Sequence, residues 1–258
     1  MIINSPQALK RYQQAADKSM IILKKLFDAT VEGVTPQQID QLADSECQKM
    51  GVIPCFKGVG PKNNKYRFAT CISVNDTVVH GIPEAKILKK GDLVKVDFGI
   101  NDEGWFTDHC FCKSIGQASP ADQQLMAVAR KAIIAGAKLA VVTKKIGDIG
   151  QQIQSIVEDA GFSVVKEFVG HGIGHDMHDF PQIPAYGVKG TGIKLQEGMV
   201  LCVEAQVLAS KNDRVYVEDN GWTVKSSDGS KSAMFEYMVV VGKKEAIFLT
   251  DTRDWPLF

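Results

Sequence analysis

The sequence predicts an α+β fold in which one plan is used twice, and three observations lead there. Helical and strand patterns come in blocks rather than in alternation, which calls for helices covering a curved, mostly antiparallel sheet. The order of blocks repeats at an offset of roughly 110 residues. In each half a glycine is followed, six residues on, by a carboxylate at the end of an apolar strand: Gly91 to Asp97, then Gly198 to Glu204.

The first helix opens at Ser5-Pro6, a Ser N-cap with Pro at the first helical position. Leu9, Tyr12, Ala16, Met20, Leu23, Leu26 and Phe27 follow at helical period. The second opens at Thr35-Pro36, where Thr35 and Gln38 make a capping-box pattern, and stops at Gly51. Their counterparts open at Ser119-Pro120, with Leu125, Val128, Ala132, Ile133 and Leu139 in phase, and near Asp148, ending at Gly161. Leu93–Ile100 and Trp105–Lys113 read as strands joined by the turn Asn101-Asp102-Glu103-Gly104. Arg214–Glu218, Trp222–Lys225 around Asn220-Gly221, and Ala233–Val241 complete the second sheet. The expected organisation is a single domain over residues 1–258, built from two similar halves (about 5–115 and 119–250) whose acids meet at their interface.

Composition narrows the function. Thirty basic residues balance thirty acidic ones, so neither nucleic acid nor an anionic membrane is an expected partner. Six scattered cysteines make no disulfide framework at this length and fit a reducing compartment. The start, Met-Ile-Ile-Asn-Ser-Pro, has no basic region leading into an apolar run. The most apolar helical stretch, Ala132–Val142, is broken by Lys138 and falls well short of the ~20 residues of a membrane span. The expected location is the cytoplasm.

The chemistry gathers around acids. A hairpin centred between Asp102 and Glu103 pairs residues whose numbers sum to 205, which sets Asp97 opposite Asp108. Like charges directly opposed on one face are destabilising, and Val96 and Phe98 bury the other face. Such a pair calls for a shared proton or a cation. Glu204 and Glu236 are each a lone acid in an apolar strand, where desolvation is costly. Three of five histidines fall in His171-Gly-Ile-Gly-His175-Asp-Met-His178, where glycines exclude a helix and Phe168-Val169 leads into His171 from a strand. His80 closes another apolar strand, and alternation turns His109 away from the acids. Four acids and one imidazole suit hard or borderline divalent ions, and a pair held roughly 3.5–4 Å apart supports metal-assisted hydrolysis.

The ordered set Asp97, Asp108, His171, Glu204, Glu236 closely resembles the methionine aminopeptidases of type I. Supporting stretches are Cys71-Ile-Ser-Val-Asn-Asp-Thr-Val-Val-His80-Gly-Ile-Pro83, Val96-Asp97-Phe-Gly, Gly170-His171-Gly-Ile-Gly174 and Asp219-Asn-Gly-Trp222-Thr-Val. The resemblance implies the pseudo-two-fold pita-bread fold and two divalent ions (Co, Mn, Fe or Zn). It implies Asp97 on one ion, Asp108 and Glu236 bridging, and His171 and Glu204 on the other, with Glu204 shuttling a proton. His80 and His178 would contact the scissile amide, and Tyr66, Cys71, Met177 and Trp222 would line the methionine pocket. Asn75, Thr77 and Ser232 match a monovalent-cation site. The implied partners are nascent polypeptide N-termini at the ribosome, and the expected state is a monomer. The alternatives are a weak or inactive binding protein of this fold, or a dipeptidase of the same fold. The chain departs from the resemblance at Ala205, Tyr237, His109-Cys110, Met177 and a longer loop at 60–65.

Overall fold

The local signals at the helix ends act as the sequence predicts. In a computed structural model that describes residues 1–257, Ser5 Oγ accepts the Ala8 amide at the start of α1 (Pro6–Ala29). Thr35 and Gln38 close a reciprocal capping box on α2 (Pro36–Met50), which ends on Gly51 at φ +68°. Ser119 accepts the Asp122 amide to start α3 (Pro120–Ala137). Helix α4 (Ile146–Asp159) begins two residues before Asp148, whose carboxylate reaches back to accept the Lys145 amide at 2.8 Å.

The first half contributes strands β1 (Ile53–Pro54), β2 (Thr70–Val74), β3 (Thr77–Val79), β4 (Leu93–Phe98), β5 (Ile100–Asp102), β6 (Trp105–Phe106) and β7 (His109–Ser114). The second contributes β8 (Ser163–Val164), β9 (Gly170–Gly172), β10 (Asp179–Ile183), β11 (Val200–Leu208), β12 (Val215–Val217), β13 (Val224–Ser226), β14 (Ser232–Val240) and β15 (Ile247–Phe248). The main sheet runs β10-β9-β11-β14-β7-β4-β2, with β8 on β11 and β15 on β14. Every pairing in it is antiparallel. Read outward from the β14–β7 junction, each side places an acid-bearing strand next (β11 or β4) and a short flanking strand beyond it (β9 or β2). The acid-bearing strands of both stretches of chain thus join in one sheet, with Glu236 opposite Cys110 at the seam. Strands β12 and β13 do not extend it as predicted but pair with β3 in a separate three-stranded sheet, and β1, β5 and β6 form another.

Strand alternation divides the sheet into two faces. Val94, Val96 and Phe98 pack with Ile22, Leu23 and Leu26 of α1 and Ile39 and Ala43 of α2. Leu201, Val203, Ala205, Phe235 and Tyr237 pack with α3 and α4 through Leu125, Ala129, Ile149 and Ile153. Each fully buried aliphatic side chain contributes about 1.5–3 kcal/mol, so α2, α3, α4 and the second half of α1 hold one face of the sheet. Tyr12, Ala15 and Ala16 early in α1 cluster with Val200, Cys202, Met238 and Val240 towards one end of the other face. The acids lie on the other face.

The hairpin register differs from the prediction. Glu103 and Gly104 are the central turn residues, both at positive φ (+54° and +87°), as a two-residue type I′ turn requires. That places the turn one residue later, and pairs Asp102 with Trp105, Phe98 with His109 and Asp97 with Cys110. Asp97 therefore opposes Cys110 rather than Asp108. A shift of two residues along one strand preserves the face, so both aspartates still point to the same side. The two long strands are also broken, at Gly99 and at Thr107-Asp108. A Cβ on Gly99 would lie 2.0 Å from the Thr107 carbonyl oxygen, so only glycine permits that approach.

Candidate metal centre and substrate cavity

One rung crosses five strands of the sheet: Cys71 on β2, Asp97 on β4, Cys110 on β7, Glu236 on β14 and Glu204 on β11. The directly opposed carboxylates are thus Glu204 and Glu236. Asp108 precedes Cys110 by two residues on the same face, and His171 on β9 opposes Cys202, two residues before Glu204. Carboxylate oxygens of Asp97, Asp108 and Glu236 lie within 4.8 Å of one another. His171 joins them, its Nε2 3.6 Å from Asp108 Oδ2, and forms further close groups with Cys202 and Glu236 and with Asp108 and His178. Glu204 stands apart from these groups. Its carboxylate accepts a 2.6 Å hydrogen bond from the buried Gln206 amide while facing the same cavity.

The electrostatics of this cluster are those of a cation site. Asp97 Oδ1, Asp108 Oδ1 and Glu236 Oε1 are buried without a hydrogen-bond partner. Buried polar groups are ordinarily paired, and each unmet one costs about 1–3 kcal/mol. Burial, then the charge of Asp108, pushes the Asp97 and Glu236 carboxyls well above the usual carboxylate range. Burial also lifts Glu204 to about 7, against the opposing pull of His171. For His171 burial disfavours the proton, but Asp108 and Glu204 outweigh it and raise its pKa. His171 Nδ1 lies 2.9 Å from the Gly172 carbonyl oxygen; donation there leaves Nε2 as the lone-pair nitrogen facing Asp108. Unpartnered oxygens and one oriented imidazole fit a divalent ion.

The cluster forms the floor of a cavity of about 460 Å³, whose lining includes all eleven residues that the resemblance assigns to the divalent ions, the scissile amide and the methionine pocket. Tyr66 is fixed by its hydroxyl, which donates towards the Thr70 and Gly81 carbonyls (2.8 and 3.1 Å), and its ring meets Trp222 at 5.0 Å. The 60–65 loop folds against that indole: a Cβ on Gly60, at φ +94°, would lie 2.4 Å from the Trp222 ring. His80 has a left-handed backbone (φ +56°), uncommon outside glycine. Burial, reinforced by His178, pushes its pKa down to about 4, so its ring is neutral. His178 stands exposed at the mouth, 4.6 Å from the His171 ring. His175 turns away, to the Gly104 carbonyl and Trp105.

Sequence reasoning missed Phe56, Val59 and Phe168 in the apolar wall, and Gln206 behind Glu204. The same alternation that exposed Glu204 could have found Gln206, two residues on and fully buried. Phe56 sits in an irregular segment with no period to place it. The departures at 109, 205 and 237 lie off the site. Ala205 and Tyr237 alternate with the acids into the core under α3 and α4, and His109 Nε2 meets Ser19 of α1 at 3.0 Å. Of these positions Cys110 alone is on the rung. The expected monovalent-cation site is also different: Lys95 Nζ donates to the Asn75 carbonyl (3.0 Å) and to the Ser232 carbonyl and hydroxyl (3.1 and 2.8 Å).

A doubled antiparallel sheet, with helices over one face and a carboxylate–imidazole cluster in a cavity on the other, defines a metal-dependent hydrolase of the pita-bread fold. The profile of metallopeptidase family M24 matches residues 10–243. The chain is 35% identical over 241 residues to methionine aminopeptidase 1 of Bacillus subtilis, covering 93% of this chain and 95% of that one. It superposes on the crystal structure of methionine aminopeptidase from Thermotoga maritima with a TM-score of 0.92 at 35% identity, covering 97% and 100% of the two chains. The chain belongs to metallopeptidase family M24 and, within it, to the methionine aminopeptidases. The X-Pro aminopeptidase of Thermotoga maritima shares the fold at 20% identity (TM-score 0.73), and this chain, 99% of it aligned, covers 63% of that one.

Proposed function

We propose that this protein, as a single catalytic domain of two similar halves, removes the N-terminal methionine of polypeptides by hydrolysing their first peptide bond. Asp97, Asp108, His171, Glu204 and Glu236 would hold two divalent ions. The observation that carries this reading is the set of buried, unpartnered carboxylate oxygens on Asp97, Asp108 and Glu236 at the floor of an apolar cavity. Bound there, the ions supply Lewis acidity and a water that ionises near neutral pH. Co, Mn, Fe and Zn all suit a site of carboxylates and one imidazole.

The side chains divide the remaining work. Glu204, with a pKa lifted to about 7 and an orienting bond from Gln206, is matched to accept and return a proton at neutral pH. Neutral His80 donates a hydrogen bond towards the oxygen that gains charge, and His178 closes the substrate from the mouth. Tyr66, Cys71, Met177 and Trp222 offer a thioether a soft apolar wall. Nascent chains at the ribosome are the substrates we infer, met in the cytoplasm by a monomer. No helix among the described residues is long and apolar enough to cross a membrane.

The test is cleavage of a Met-Ala-Ser peptide by chelator-stripped protein reloaded with Mn, Fe, Co or Zn. Release of free methionine with at least one metal is expected. A folded protein that turns over with none of them, or that prefers an Xaa-Pro dipeptide, overturns the proposal.

A further inference from the structure

Lys95 lies on the acid-bearing face of β4 and is 1% exposed. A buried ammonium ordinarily has a carboxylate beside it. Here its three N–H donors meet three neutral oxygens: the Asn75 carbonyl, the Ser232 carbonyl and the Ser232 hydroxyl, at 2.8–3.1 Å. The Ser232 hydroxyl in turn lies 3.1 Å from the Thr77 carbonyl oxygen, and both side chains are buried. The Asn75 carbonyl also accepts the Ser232 amide at 3.0 Å. Carbonyl and hydroxyl oxygens gathered around one point, with no anion among them, form the environment that binds a small hard cation.

We propose that Lys95 is the built-in occupant of a monovalent-cation site, its ammonium standing where a dissolved Na⁺ or K⁺ would otherwise be required. The oxygens come from both halves. Asn75 and Thr77 lie at the β2–β3 turn of the first, and Ser232 opens β14 of the second. Lys95 itself is two residues from Asp97, and Ser232 is four residues from Glu236. The ammonium therefore ties together the two strands that carry these acids, and it does so without dependence on ions in solution. A lysine held there also excludes competition between Na⁺ and K⁺ at the junction.

The experiment is thermal unfolding in KCl, NaCl, NH₄Cl and tetramethylammonium chloride at equal ionic strength, for the parent and for Lys95→Ala. The parent should melt at the same temperature in all four salts. Lys95→Ala should melt about 5–10 °C lower in tetramethylammonium chloride and recover saturably in at least one small-cation salt. A parent whose midpoint climbs saturably with K⁺ or Na⁺ overturns the proposal, because the site would then take its cation from solution. Lys95→Ala as stable as the parent, or weakened equally in all four salts, overturns it too. If the variant does not fold in tetramethylammonium chloride, refolding yield decides: rescue by a small cation supports the proposal, and none refutes it.

Discussion

Replacing Glu236 by Gln should make the metal-free protein more stable while weakening its hold on divalent ions. Glu236 opposes Glu204 across β14 and β11, where side chains start about 5 Å apart. Two carboxylates at that separation repel by about 3 kcal/mol at an effective dielectric of ~20. Burial, and then Asp108, Glu204 and Asp97, hold the Glu236 carboxyl well above the usual range. A carboxyl whose folded pKa is raised binds more protons in the folded than in the unfolded chain, so stability drains away as pH climbs above the ordinary glutamate value. Gln keeps the shape and cannot ionise, and that slope disappears. At pH 8 the variant should gain about 3 kcal/mol, or about 6–12 °C in melting temperature at this chain length. The assay is unfolding of chelator-treated parent and variant at pH 8 and pH 5. The gap should be wide at pH 8, narrow at pH 5, and reversed once Mn is added, because the variant has lost a ligand oxygen. A variant no more stable than the parent at pH 8, or a gap that ignores pH, would refute the electrostatic account of the rung.

Three further outcomes are expected. Metal binding should release protons, and more at pH 6 than at pH 8, since burial lifts Glu204 to about 7 and holds the Asp97 and Glu236 carboxyls above the usual carboxylate range; calorimetry in buffers of different ionisation enthalpy reads the number, and zero release contradicts the raised carboxyl pKa values. His109 is held neutral, its pKa pushed down to about 4 by burial. A depressed histidine costs the fold stability as pH falls, because the unfolded chain takes the proton first, by up to about 3 kcal/mol between pH 6.5 and 4. His109→Asn should flatten that part of the acid unfolding curve, and a curve as steep as the parent's would place the loss elsewhere. Gly60→Ala, pressing a methyl into Trp222 at a positive φ, should raise KM for a Met-Ala-Ser peptide about tenfold, ~1.4 kcal/mol, with kcat nearly kept. A fall in kcat with KM intact would move the indole out of the binding pocket.

The site was legible in the sequence because a strand alternates its side chains with period two. An error of two residues in the 97–108 hairpin left every acid on its proper face, so the acids still gather on one side of the sheet despite a wrong register. The register was itself within reach: a type I′ turn needs positive φ at both central residues, and Glu103-Gly104 places the only glycine of that turn there. Helix ends were read correctly for the same local reason, since Ser5, Thr35 and Ser119 bond to amides three residues away. Alternation also explains why Ala205, Tyr237 and His109 could look like changes to the site and yet lie in the helix-covered core.

The sequence by itself therefore determined the helices, the acid-bearing face and the identity of the residues on it, all of which depend on neighbours a few positions apart. Which carboxylates oppose each other, and what surrounds Lys95, were decided only in the tertiary structure. Glu204 meets Glu236, and Lys95 meets Asn75 and Ser232, through pairings between distant strands. No local pattern encodes such partners, because carbonyl oxygens belong to every residue and become a cation's ligands only when the folded sheet brings them to one point.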